Sequence, residues 1–220
     1  MTRCIICIII YVLFVSFNAS AQKPKKSKKQ IPVQKEIPKR YELRSGELLL
    51  FSEMDGMRTK ITVAFDNHGA REVTESVGYR MVEQDLNLKV HSKSIVMNGV
   101  LTTLDLQERT GTKLSLGQYA DAGGINFATI SDSMKKEIGL VKTNATDTVL
   151  GYACDIWTIT HPTIPFSGTY SVWGNLVMRS ETMTNGVKMR TYAVRIEANK
   201  PLDESMLIIP EDIVFKKPGE

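Results

Sequence analysis

The sequence is short of the residues from which active sites and covalent staples are built. It holds three cysteines, and Cys4 and Cys7 lie in the apolar N-terminal run, so Cys154 stands alone downstream. An intrachain disulfide is thereby excluded, and stability has to come from an apolar core. Cys154 sits inside an apolar strand pattern, which reads as a buried small hydrophobe rather than a nucleophile. The three histidines, His68, His91 and His161, lack the paired spacing of a zinc site. His161 follows Cys154 by seven positions, which puts the two on opposite faces of an extended chain and leaves no Cys–His pair. There is no G-x-S-x-G elbow, no phosphate-binding Walker loop and no G-x-G-x-x-G turn. No catalytic residue, metal ligand or cofactor is therefore expected, and the chain reads as non-enzymatic.

Long apolar runs are also scarce. The one at residues 4–17 is shorter than the roughly 20 residues that cross a bilayer. Arg3 precedes it and Ala19-Ser20-Ala21 follows, so residues 1–21 read as a cleaved secretory signal peptide. Cys4 and Cys7 stand at the front of that run rather than after it, so a periplasmic or secreted soluble product is expected and a lipoprotein is not. The 199 residues that remain suit one domain, burying roughly 70% of the surface its unfolded chain would expose.

The net charge of +4 is unevenly spread. Residues 22–40 carry eight Lys or Arg against Glu36, and residues 41–220 are net −4. With three prolines and no aromatic residue, 22–40 reads as a disordered basic leader. Its functional reading is attachment to an anionic membrane surface, where each Lys or Arg adds about 1 kcal/mol; its plainer reading is a solvated spacer. Nucleic acid is not an expected partner, because aromatic residues are not interleaved with the lysines and the domain behind them is acidic.

What the sequence does contain is strand signal. Residues 46–51 begin an apolar strand, Asp55-Gly56 turns the chain, and residues 57–66 alternate, with Ile61, Val63 and Phe65 opposed to Lys60 and Thr62. Residues 70–77 read as a more polar, edge-like or solvent-facing strand, and 78–90 as either a short helix or irregular strand. Asn98-Gly99 and Asn185-Gly186 mark tight hairpins. Residues 130–140 place Ile130, Met134 and Ile138 at helical spacing behind the capping candidates Ser131 and Asp132. Residues 143–147 read as a loop into the densest β segment, residues 149–182, which holds both tryptophans.

Taken in order, Gly69-Ala70-Arg71-Glu72, Leu104-Asp105-Leu106 with Thr110-Gly111-Thr112, Gly151-Tyr152-Ala153-Cys154, Val172-Trp173 with residues 176–181, and Pro210 resemble a family of exported bacterial domains. That family looks related to the LolA/LolB outer-membrane lipoprotein-carrier superfamily. The resemblance implies an α+β, mainly β fold over 41–220: a strongly curved antiparallel sheet, an incomplete barrel, with one or two short helices closing its concave side. It also implies a hydrophobic ligand, a lipid or lipoprotein acyl chain, and brings no catalytic residue. On such a sheet Met97, Leu104, Trp157, Trp173, Met178 and Tyr192 are candidates to line the hollow or, equally, to fill the core. The alternative is an envelope interaction or scaffold protein with a packed core, working through a sheet edge or loops.

Overall fold

The computed structural model describes residues 39–82, 85–115 and 125–217, without the side chains of 79–89. The expected signal peptide and all of the expected basic leader except Lys39 and Arg40 lie outside the described residues.

Two meanders make one sheet. The first comprises β1 (Gly46–Met54), β2 (Met57–Asp66), β3 (Arg71–Val82), β4 (Asp85–Met97), β5 (Val100–Asp105) and β6 (Thr110–Ser115). The second comprises β7 (Leu140–Val149), β8 (Tyr152–Thr160), β9 (Phe166–Trp173), β10 (Leu176–Thr184) and β11 (Val187–Ala198). Antiparallel pairing of β1 with β11 joins them, and β12 (Val214–Phe215) adds parallel to β6. The order is β12-β6-β5-β4-β3-β2-β1-β11-β10-β9-β8-β7. This is the expected mainly β class, almost wholly antiparallel.

Turn chemistry sets much of this register. Asp55-Gly56, Asn98-Gly99 and Asn185-Gly186 all take positive φ at both central positions, as two-residue hairpins require. Leu150-Gly151 does the same between β7 and β8, with Leu150 at φ 53°, a conformation that leucine adopts at a steric cost.

Two sequence expectations are corrected, and one left open is decided. Residues 143–147 are not a loop but part of β7. The sheet's edge tolerates their polarity, and the register slip between Lys142 and Thr146 is held by the Thr143 hydroxyl, which donates to the Ile156 carbonyl at 3.0 Å. The strand over 70–77 is not at an edge: β3 lies between β2 and β4, its polar positions alternating with buried Val73 and half-buried Val77. Of the two readings left open for residues 78–90, the strand holds among the described residues, since β3 and β4 run through them.

The helix forms as expected, slightly shortened, as α1 (Asp132–Ile138). The Ser131 hydroxyl caps it by accepting from the Met134 N–H. Gly139 ends it at φ 69°, where an added Cβ would lie 2.0 Å from the Thr160 carbonyl oxygen. Only glycine fits there.

Packing falls into three clusters. Leu48, Leu50, Phe65, Cys154, Leu176 and Met178 centre the first, with Tyr41 and Leu43 laid against it. In the second, the chain after β11 brings Leu202 and Ile213 onto Ala64, Val73, Ile95 and Leu104. The third packs Phe127 and Ile130 on Leu140, Ile159, Phe166 and Val172, beside Ile138 of α1. Each such side chain contributes about 1.5–3 kcal/mol when fully buried. Arg40, assigned above to the leader, is 8% exposed and pairs at 3.2 Å with buried Glu72, which also accepts the Tyr41 hydroxyl at 2.6 Å. Burial first, and Glu72 second, pushes the Tyr41 hydroxyl well above its ordinary value.

Candidate functional site

Strand pairing gives β1 to β5 two chemically different faces. On one, Val73 and Ile95 alternate into the second cluster beneath the C-terminal segment. On the other, cross-strand rows run Leu48–Val63–Thr74–Ser94–Thr103, then Leu50–Ile61–Ser76–Ser92, then Ser52–Thr59–Gly78, and finally Met54–Met57 at the hairpin end. Side-chain size falls from β1 and β2 to β3 and β4 along the first two of these rows, while the third pairs Gly78 with Val90. Leu48 and Leu50 are buried, Ile61 and Val63 half-buried, and beside them Thr74, Ser76, Ser92 and Ser94 are half-buried hydroxyls.

The third row continues through Thr191, Ser180 and Tyr170 to Trp157. At that far end Phe127 covers the sheet, its ring 5.3 Å from Trp157 and 5.9 Å from Tyr170. Burial there pushes the Tyr170 hydroxyl up to about 12. In mid-row Ser52, Thr59 and Ser180 are buried, and the Thr191 hydroxyl donates to Ser52 at 3.0 Å. Gly168, next to Thr182 in the Met54 row, keeps the floor low; a Cβ there would meet Thr182 Cγ2 at 2.8 Å.

At the ends of the β1–β2 and β10–β11 hairpins lies an open depression of about 490 Å³, lined by Glu53, Met54, Asp55, Gly56, Met57, Arg58, Lys188 and Arg190. Met54 and Met57 belong to the Ser76 face, while Glu53, Arg58 and Arg190 pair across strands on the opposite one. There Arg58 lies over Phe51 at 4.1 Å and Arg190 over Tyr192 at 5.4 Å, both within cation–π reach.

The structure does not assemble the six candidate ligand residues into one lining. Trp157 lies in the Ser52 row, under Phe127. Met178 is fully buried in the first cluster, and Trp173 packs on Tyr152 at 4.2 Å beside it. Leu104 is fully buried in the second cluster, on the Val73 face. Tyr192 is half-buried on that face, its hydroxyl donating to Glu53 at 2.9 Å, and Met97 is 39% exposed. The hydroxyl rows escaped the sequence reading. Their signal was the period of two in Thr74-Glu75-Ser76-Val77-Gly78 and His91-Ser92-Lys93-Ser94-Ile95, small on one face and bulkier on the other.

A second polar group spans β7, β9 and β10: Asp147 accepts from the Ser171 hydroxyl at 2.8 Å and from Arg179 at 2.9 Å. It holds the sheet end together and has no histidine or thiolate to drive chemistry. Cys154 beside it is 1% exposed, and burial pushes its thiol up, so it is protonated at neutral pH.

No family model and no curated protein matches the chain. Among solved structures it is similar to an uncharacterized conserved protein from Thermus thermophilus, with 7% identity and a TM-score of 0.50 over 81% of this chain and 94% of that one. It is less similar to the lipoprotein LppX of Mycobacterium tuberculosis, with 9% identity and a TM-score of 0.37 over 73% of this chain and 89% of that one. A β-barrel-like protein of the domain of unknown function DUF1849 from Brucella abortus follows, with 8% identity and a TM-score of 0.33 over 73% of this chain and all of that one. The last two likenesses are too slight to carry an argument. What the chain shares with the Thermus protein is a fold.

Proposed function

We propose that the protein is an exported, non-enzymatic holder of a hydrophobic ligand, a lipid or lipoprotein acyl chain, received on the Ser76 face of the sheet. The observation that carries this reading is the change in side-chain size along that face. Beside buried Leu48 and Leu50 the strands leave Ile61 and Val63 half-buried, and in those two rows β3 and β4 then present Thr74, Ser76, Ser92 and Ser94, between the Glu72–Val96 pair on one side and the Gly78–Val90 pair on the other. Within the two middle rows a completed core would place large apolar side chains on β3 and β4, as the Val73 face does with the Val73–Ile95 pair. Small hydroxyls leave depth, and half-buried Ile61 and Val63 offer apolar walls. An acyl chain laid there gains about 0.8 kcal/mol per buried methylene, so eight methylenes supply roughly 6 kcal/mol before the cost of ordering the chain. The basic leader raises the local concentration of the domain at an anionic membrane.

Native mass spectrometry of protein purified from its own cell envelope tests this. A co-purifying lipid mass is expected, and bare protein under conditions that preserve known lipid complexes would refute it. The scaffold reading draws on a different observation: β7 is a ten-residue edge strand with Val141 58% exposed. It predicts bare protein in that experiment, together with loss of partner capture when proline replaces Thr146.

A further inference from the structure

We propose that Met54, Met57 and Met189 form a three-thioether site for Cu(I) at the hairpin end of the Ser76 face. The inference stands apart from the acyl-chain reading and does not rest on it. Strand register carries it. Met57 of β2 is paired with Met54 of β1, and Met54 is paired in turn with Met189 of β11, so one row on one face brings together methionines from two separate hairpins. Directly opposed side chains have Cβ atoms about 5 Å apart, which leaves Met57 and Met189 about 10 Å from each other with Met54 between them. Unbranched side chains with three rotatable bonds close that gap from both sides.

Packing does not account for the row. All three methionines are half-buried, and none belongs to any of the three packing clusters. Their neighbours are small: Thr59, Ser52 and Thr191 form the adjacent row, and Thr182 and Gly168 continue the methionine row beyond Met189. Low neighbours on these sides leave the sulfur atoms room to converge. Met54 and Met57 also line the open depression, which gives an ion its entry. Arg58, Lys188 and Arg190 line it too, but they stand on the opposite face, in register with Glu53, Met183 and Glu181, and so are not aimed at the thioethers.

Ligand chemistry then selects the metal. A thioether is neutral and soft and needs no deprotonation. Soft sulfur ligands favour Cu(I), whereas harder divalent ions take carboxylate, carbonyl and water, and zinc takes thiolate and imidazole. Among the described residues no three His, Cys, Asp or Glu side chains gather as a competing site. The histidine and cysteine spacing that argues against zinc does not bear on methionine.

The test reads the methyl NMR signals of isotope-labelled methionine while the protein is titrated with Cu(I), kept reduced by ascorbate without oxygen, and with Ag(I) as a redox-inert stand-in. The Met54, Met57 and Met189 signals should shift together and stop shifting near a single equivalent, while exposed Met97, Met134 and Met183 stay in place. Met54→Leu/Met57→Leu/Met189→Leu, which nearly conserves side-chain volume, should weaken Ag(I) binding by at least about tenfold with little change in urea midpoint. Cys154→Ala should leave Ag(I) affinity unchanged. Unmoved signals from the three methionines overturn the inference, as do equal shifts of the exposed methionines, which mean adventitious soft-metal contact only. Loss of binding in Cys154→Ala but not in the triple variant assigns the metal to the thiol instead. Equal response to Zn(II) contradicts the selection by softness. The methyl shifts are read in the unsubstituted protein, so they decide the matter even where the triple variant does not fold.

Discussion

Replacing Ser76 with leucine should leave the fold nearly as stable and weaken ligand binding. Ser76 lies on β3 between Ile61 of β2 and Ser92 of β4, half-buried on the face where side chains become small. Leucine adds net bulk equivalent to two or three methylenes in the space assigned to the acyl chain. At about 0.8 kcal/mol per displaced methylene, affinity falls by about 2 kcal/mol, or roughly thirtyfold. If the space is vacant, the new side chain gains contact with Ile61 and urea-monitored stability changes by less than about 1 kcal/mol. If the space is already packed, overpacking costs about 1–3 kcal/mol or more. Lys60→Leu, exposed on the opposite face of β2, serves as the control and should leave affinity unchanged. Displacement of an uncharged naphthylamine dye reads affinity, and urea denaturation reads stability. A Ser76→Leu protein that is strongly destabilised, or that binds the dye as before, refutes the reasoning.

Other outcomes follow from the same structure. Leu150→Asn should raise stability by about 0.5–1 kcal/mol in urea denaturation, because Leu150 is 45% exposed at φ 53° and asparagine tolerates that conformation better. The raised Tyr41 and Tyr170 hydroxyls stabilise the fold fully below the ordinary value of 10.0, and this contribution is lost as pH rises through their folded values. Base titration should accordingly show stability declining above about pH 10, less steeply in Tyr41→Phe. Cys154 should resist a thiol reagent without denaturant and react once unfolded, since it is buried and its thiol is protonated.

How far the sequence revealed the fold depended on how local the signal was. Asn98-Gly99 and Asn185-Gly186 announce their hairpins because few residues tolerate positive φ, and Ser131 announces the start of α1 by equally local cap chemistry. The Leu150-Gly151 turn uses a residue that propensity disfavours, so tertiary pairing of β7 with β8 decides it. Residues 143–147 looked like a loop because an edge strand exposes both its faces and loses its alternation. β3 looked solvent-facing for a different reason. Its hydroxyls do sit on one face, but that face is half-buried within the sheet rather than at its edge. The site was the least legible part. Of the large apolar and aromatic candidates, Met178 and Leu104 are consumed by clusters, whereas the proposed acyl-chain site lies where side chains are small. Absence of bulk is a property of neighbouring strands together, and no single stretch of sequence displays it.

The central claim is that an acyl chain occupies the Ser76 face, and a photoactivatable fatty acid carrying a diazirine in mid-chain tests it most directly. After irradiation and proteolysis, adducts are predicted on Ile61, Val63 and Met57. Adducts confined to exposed apolar side chains elsewhere, such as Met97, Val141 and Met183, would contradict it.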